Sequence, residues 1–324
     1  MMHRPLAFLA LGLSLFCQPA FAGLRLIRHW QASPVLLQHV EYSPGGTSLL
    51  TASGAGIAQL WQLNGQPGPV MQGQRPPMFN AHFNGVGDQI LTTGYDGSVW
   101  IWDSQGQRLY AHALHQAAVA EARFFDGPSG FGPGLITSSD DGQLVIRHAN
   151  GAPLWSIQFS GTARQFSISP SNDLIVASSD DGQLHLIRPH PAAKTASVTS
   201  LQTPHGRINQ VSFSPDARQL AVAGKDGTVS IWTRDGTPKF SLQASRSGWS
   251  RGAAYCATSP SVLLTIGDDG NLMEWSRTGQ LLGSLRLSQT SSLTSIDCSP
   301  AGRHVSIVGS QGELWLVAIT SGER

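Results

Sequence analysis

The feature that most limits what this chain can fold into is a turn that returns seven times. The stretch "DGTVSIW" (226–232) has counterparts in "GAGIAQLW", "YDGSVWIW", "DDGQLVIR", "DDGQLHLI", "DDGNLMEW" and "SQGELWLV". Their glycines are Gly56, Gly97, Gly142, Gly182, Gly227, Gly270 and Gly312, spaced 40 to 45 residues apart. Such a period marks a stacked repeat, because one unit of that size cannot bury its apolar face alone. Each unit opens with an alternating strand that commonly ends in Ser-Pro, such as "INQVSFSP" (208–215). A second apolar run leads into the turn, a third strand follows it, and a fourth completes the unit. Gly after Asp supplies the positive φ that a tight hairpin needs, so backbone geometry alone accounts for the turn.

The composition agrees with a turn-rich β protein. Only 13% of the 324 residues are charged, against 36 Gly and 19 Pro. The opening "MMHRPLAFLALGLSLFCQPAFA" has a basic start, an apolar run from Leu6 to Phe16 and an Ala20-Phe21-Ala22 exit. It reads as a secretory signal peptide of residues 1–22, because the run is too short to span a bilayer and an A-x-A site follows. Phe16 is too bulky for a lipoprotein anchor at Cys17. Removing this segment leaves 20 basic and 20 acidic residues. That balance argues against nucleic-acid partners, which require a basic footprint. With no later span of membrane length, the expected product is a soluble exported protein without membrane insertion, in the periplasm or outside the cell.

The chain resembles the WD40-repeat family across nearly all of residues 23–324, in its period, its Ser-Pro corners and its third-strand tryptophans. The resemblance implies an all-β, seven-bladed β-propeller forming one domain. It also implies a structural network in each blade, joining a turn Asp, a His from the preceding loop, a hydroxyl four residues before the Asp and a Trp six after it. Thr92, Asp96 and Trp102 match that pattern, as do Thr265, Asp269 and Trp275. The fifth unit has His205, Asp226 and Trp232 but Val222 at the hydroxyl position. The third has Thr137, Asp141 and His115 with Arg147 in place of Trp, and the first keeps Thr51 and Trp61. The fourth keeps only Asp181, and the seventh has Gln311 where Asp belongs. Those aspartates are therefore read as joints, not catalysts. The last unit lacks a fourth strand, and "LRLIRHW" (24–30) is expected to supply it and close the ring.

With the Ser-Pro corner as a ruler, residues three and five before the proline should line the central channel. These positions gather Asp297, Glu41, His82 and Arg123 on consecutive blades, with His39 and Glu121 one layer away. The ruler also assigns Tyr255 and Ala257 to the channel in the sixth unit. The reading preferred for the cluster is a hydrated ion-pair network. The alternative is a metal, small-ligand or enzymatic site using His39, Glu41, His82 and Asp297. No cofactor is expected, and no nucleophile elbow or zinc-protease histidine pair is present.

The resemblance further implies partner binding on the face built from the loops that lead into the blades. Arg75, Tyr95, Arg164, Arg207, Arg246, Trp249 and Arg251 should stand there, residue types able to anchor an interface. Trp249 is the leading candidate, weighed against a role as a cap on the sixth blade. Three local readings complete the analysis. The "DGPSGFGPG" stretch (126–134) reads as a loop, not a phosphate cradle. "HLIRPHP" (185–191) reads as a loop because of its prolines. Cys256 and Cys298 are expected to be buried free thiols, with a disulfide as the alternative. The function expected is a monomeric, non-catalytic scaffold for another envelope or secreted protein.

Overall fold

Each repeat folds as its alternation dictates. The computed structural model describes residues 23–125, 133–190, 195–258 and 261–320, and these form twenty-eight strands and no helix. Seven four-stranded antiparallel sheets result. In the first blade the strands are Leu37–Tyr42, Ser48–Ser53, Ile57–Gln62 and Pro67–Gln72, from the innermost outward. The innermost strands of successive blades touch in cyclic order, and the seventh returns to the first. The chain is a seven-bladed β-propeller. Residues 1–22 and most of the 126–134 stretch lie outside the described residues, so the signal-peptide and loop readings are not addressed by the structure.

Two backbone devices repeat around the ring. All seven hairpin glycines have positive φ, between 73° and 86°, a region where a side chain would be strained. The corner serines accept the backbone N–H that opens the second strand: Ser43 from Ser48 (3.1 Å), Ser169 from Leu174 (3.1 Å), Ser214 from Gln219 (2.9 Å) and Ser299 from His304 (3.1 Å). In these four corners the Ser of Ser-Pro thus satisfies a donor that the corner would otherwise leave unpaired.

Apolar cores lie between blades. Leu37, Val40, Tyr42, Leu49 and Trp61 of the first blade pack with Val308, Leu314 and Leu316 of the last. Burying one such side chain contributes about 1.5–3 kcal/mol, so the inter-blade clusters carry much of the stability. That packing needs a complete seventh sheet. Leu24–Gln31 pairs antiparallel with Glu313–Ile319 as its outermost strand, from Leu24 opposite Ile319 to Gln31 opposite Glu313, with a bulge between Leu26 and Arg28. Gly312 O accepts from Ala32 N (2.9 Å) and Ser33 N (3.0 Å), fixing the exit of this strand.

The blade-six ruler fails, and its failure decides the cysteines. Ala253 pairs with Thr265 as Val40 pairs with Thr51, so the channel positions of blade six are Gly252 and Ala254 rather than Tyr255 and Ala257. Its Ser-Pro comes three residues later, relative to the innermost strand, than in the other Ser-Pro blades: Pro260 follows Ala253 by seven residues, where Pro44 follows Val40 by four. Tyr255 instead packs in the core between blades five and six, its hydroxyl donating to Gln219 Oε1 (3.4 Å). Cys256, the next residue, is thereby turned to the face that meets blade seven and joins that core. There it forms a disulfide with Cys298, with Cα atoms 5.5 Å apart. The expectation of free thiols is corrected. The bridge closes a sequence separation of 42 residues, worth about 4 kcal/mol in the chain-entropy model.

A second correction concerns "HLIRPHP". Gln183–His190 is a continuous strand paired with Thr195–Gln202, and Pro189 stands opposite Ala196. Deleting Leu24–Gln31 should lower the thermal midpoint by roughly 10 °C or more, from several lost ladder bonds at about 1 kcal/mol each. An unchanged midpoint would reject closure by this strand.

Candidate functional site

Three sets of polar side chains stand out: the joints inside the blades, the channel cluster and the rim around the channel mouth.

The joints share a buried hydroxyl that accepts a hydrogen bond from an indole. Trp61 Nε1 donates to Thr51 Oγ1 (3.0 Å), Trp102 to Thr92 (2.9 Å) and Trp275 to Thr265 (2.9 Å). In blade three Arg147 Nε replaces the indole and reaches Thr137 Oγ1 (3.4 Å). His115 bridges that hydroxyl (2.8 Å) to Asp141 (2.9 Å), satisfying the loop-to-hairpin tie. In blade five the hydroxyl missing at Val222 is supplied by Ser230, directly across the ladder. Ser230 Oγ meets both Trp232 Nε1 and His205 Nε2 at 2.8 Å, and His205 Nδ1 lies 3.0 Å from Asp226.

Further substitutes complete the other blades. In blade two Gln74 takes the histidine's place, accepting from Thr92 Oγ1 (2.8 Å) and donating to Ser98 Oγ (3.0 Å), which donates to Asp96 (2.5 Å). In blade four Ser179 contacts Asp181 and His185 (2.9 Å), with His185 held by Ser200 (2.8 Å). In blade seven Glu313 accepts from Ser291 Oγ (2.9 Å) and Gln311 N (3.2 Å), two residues beyond the absent Asp. Blade six lacks the histidine, and Asp269 caps Arg246 N (3.0 Å) and Asn271 N (3.1 Å) instead.

The channel brings five of its six expected residues into direct contact with one another. His82, fully buried, lies between two carboxylates: Nδ1 is 3.2 Å from Glu41 Oε1, and Nε2 is 2.8 Å from Glu121 Oε1, oblique to the ring N–H. Arg123 Nε donates to Glu121 (3.0 Å), and its Nη1 is 3.5 Å from Glu41. The His39 ring meets His82 edge-on with centroids 4.4 Å apart, and its Nδ1 is buried without a hydrogen-bond partner. Asp297 stands apart from these pairs and accepts Tyr42 N (2.7 Å).

Burial opposes charge on His82, but the Glu121 and Glu41 carboxylates outweigh it and raise the imidazole pKa. Burial likewise opposes ionisation of Glu121, yet His82 and Arg123 hold it down to about 2. Glu41 is lowered by the same two cations despite its burial. His39 falls to about 3 through burial and the neighbouring His82 charge, which keeps it neutral. Asp297 moves the other way, pushed up to about 7 by burial and by Glu41.

These carboxylates also stitch blades together. Glu41 Oε2 accepts Phe83 N of the next blade (2.8 Å), as Asp297 does Tyr42 N. Ser295 Oγ accepts Val40 N (3.3 Å), Gln210 Oε1 accepts Ala253 N (2.8 Å), and Asn80 Nδ2 donates to Ala120 O (2.6 Å). Innermost strands are sheet edges, and their free backbone groups find partners on the preceding or following blade. Among the described residues no three His, Cys, Asp or Glu side chains converge in a metal-ligating arrangement.

At the channel mouth the rim residues divide. Arg75 and Tyr95, both exposed, belong to blade two. Across the ring, the half-buried Trp249 indole is surrounded by cations: Arg251 at 4.3 Å, Lys225 at 5.0 Å and Arg207 at 5.9 Å from the ring centre. Asp268 holds this loop through Trp249 N (2.9 Å) and Arg251 Nε (2.6 Å). Arg164 pairs with Asp140 (3.2 Å), and Arg246 is exposed beside Trp249 in sequence. A cavity of about 160 Å³ opens between Arg164, Arg207, Asn80, Asn209 and Asp140. Lys225 is the rim residue absent from the sequence reading, since a lysine beside a hairpin Asp carries no cue that it faces an indole from the next blade.

The WD domain, G-beta repeat family model matches residues 70–103 and 196–233. Two WD repeat-containing proteins of Synechocystis are similar to the chain. One is 36% identical over 226 residues, covering 70% of this chain and 67% of the relative. The other is 29% identical over 281 residues, covering 86% and 81%. The protein transport protein SEC13-2 of Candida glabrata is 23% identical over 286 residues, covering 75% and 94%.

Asp297 yields a test of the channel electrostatics. A carboxyl raised in the fold contributes stability that is fully present below its ordinary value of 3.8 and is lost as pH rises through about 7. Asp297→Asn should match the parent near pH 4 and become more stable than it by pH 8, by a few kcal/mol at most. Parallel stability profiles for the two proteins would contradict this assignment.

Proposed function

The chain belongs to the WD-repeat family, and on that premise we propose that it is an exported, non-catalytic scaffold that holds another protein on the rim of its propeller. The family fold is typical of protein-interaction scaffolds. The observation that carries the reading is Trp249, a half-buried indole ringed by Arg207, Lys225 and Arg251 at the mouth of the channel. Aromatic and guanidinium groups of this kind are the residues that most often anchor interfaces. The channel supports the same reading from the other side, because both oxygens of Glu41 and the carboxylate of Asp297 are engaged in holding blades together. No cofactor enters this account.

Export into the periplasm, as a monomer without membrane insertion, is part of the proposal. It is supported by the basic, apolar and A-x-A order of residues 1–22 and by the Cys256–Cys298 bridge, a bond that persists in oxidising compartments. The partner is then another envelope or secreted protein.

The test is in-cell crosslinking followed by capture of the tagged protein from the envelope fraction. The proposal expects a chain beginning at Gly23 with one near-stoichiometric partner, whose recovery falls about tenfold with Trp249→Ala and holds with Arg286→Ala, an exposed position at the end of the outermost strand of blade six. Retention of Met1, or a partner indifferent to Trp249, would contradict it.

A further inference from the structure

We propose that the rim beside Trp249 recognises a carboxylate-bearing, acidic segment of the partner protein. This rests on the scaffold reading and names the chemistry that the rim would select.

Three guanidinium groups, Arg164, Arg207 and Arg251, meet at this part of the channel mouth, and they are not equally neutralised. Arg251 is paired with Asp268 at 2.6 Å, and Arg164 with Asp140 at 3.2 Å. Among the described residues neither Arg207 nor Lys225 forms an ion pair. Arg207 Nε is moreover buried without a hydrogen-bond partner, and so is Arg164 Nε. A buried guanidinium nitrogen with an empty donor direction is costly, and like charges nearby add to that cost. Burial and the nearby Arg164 charge both lower the Arg207 pKa.

A carboxylate entering the mouth would offset the repulsion between these like charges. The cavity of about 160 Å³ has Arg164 and Arg207 on its wall with the amides of Asn80 and Asn209 and with Asp140, whose charge is taken up by Arg164, so that Arg207 is left to meet one acidic side chain. Guanidinium forks match carboxylate geometry in two-pronged fashion. Outside the cavity, Lys225 is exposed and stands over the indole, placed to meet a second acidic residue of the same segment. Trp249 offers that segment an apolar surface.

The charge pattern also separates a peptide from a nucleic acid. Asp140 and Asp268 interrupt the rim between the arginines. A continuous phosphate backbone would run against these carboxylates, whereas discrete acidic side chains avoid them. The balance of 20 basic and 20 acidic residues beyond position 22 agrees, since phosphate backbones are bound through an excess of basic charge.

The experiment measures binding of a fluorescent hexaglutamate peptide to the full folded protein by anisotropy, with hexalysine and a single-stranded oligothymidine as parallel probes. The proposal expects hexaglutamate to bind, to weaken as salt rises, and to be displaced by free glutarate, while hexalysine does not bind. Arg207→Gln should weaken hexaglutamate about tenfold, and the exposed Lys225→Gln should weaken it several-fold with an unchanged thermal midpoint. Hexaglutamate binding that ignores both substitutions, or oligothymidine bound more tightly than hexaglutamate, overturns the inference. A partner captured in cells and lost with Trp249→Ala, combined with no hexaglutamate binding, overturns the acidic-segment inference while leaving the scaffold reading intact.

Discussion

A buried hydroxyl that takes a hydrogen bond from an indole or a guanidinium sits at the centre of five blades, and in two of them it also anchors the loop that leads into the blade. In blades three and five the same hydroxyl meets a histidine from the preceding loop, which meets the hairpin aspartate. That chain ties a loop between blades to a hairpin within one. In a dry interior each link is electrostatically strong, and a broken link leaves a polar atom unpaired at about 1–3 kcal/mol. The loop that carries Arg207 is positioned by such a tie through His205, while the loop that carries Trp249 is held directly by Asp268 at Trp249 N.

The channel obeys the same rule at the opposite side of each sheet. An innermost strand has an open edge, and the propeller satisfies it with side chains from the adjoining blade. Glu41, Asp297, Ser295, Gln210 and Asn80 all make such bonds. A charged channel is therefore compatible with a purely structural role, and the His82 ion pairs follow from having placed the carboxylates there. Cations without an ion-pair partner among the described residues stand at the mouth instead, where Arg207 and Lys225 lie beside the paired Arg164 and Arg251.

Much of this was legible in the sequence because repetition averages over local irregularity. Seven glycines at a near-constant interval specify the blade count whatever any single blade does, and the alternation of residues 24–30 identifies the closing strand. What stayed hidden came from single-residue shifts. The Ser-Pro ruler assumes a constant distance from innermost strand to corner, and blade six departs from it by three residues. That odd number reverses which face Cys256 occupies and so allows the bridge to Cys298. Ser230 was invisible because a hydroxyl moved across the ladder is eight residues away in sequence yet adjacent in space. Gln74 and Glu313 replace expected residue types with others of the same hydrogen-bonding capacity. The gathering of Arg207, Lys225 and Arg251 on one indole joins neighbouring blades, which no local pattern encodes.

The central claim, that a hydroxyl in the right place holds hairpin and loop together regardless of which strand supplies it, is tested most directly in blade five. The measurement is denaturant unfolding of Ser230→Ala and of Ser230→Ala combined with Val222→Thr. The account predicts a loss of about 1–3 kcal/mol in the single variant, because Trp232 Nε1 and His205 Nε2 lose their shared partner. It predicts recovery of most of that loss in the double variant, where the hydroxyl returns to the position that Thr92 and Thr265 occupy in their own blades. No loss on removing Ser230, or no recovery on restoring the hydroxyl at position 222, would contradict it.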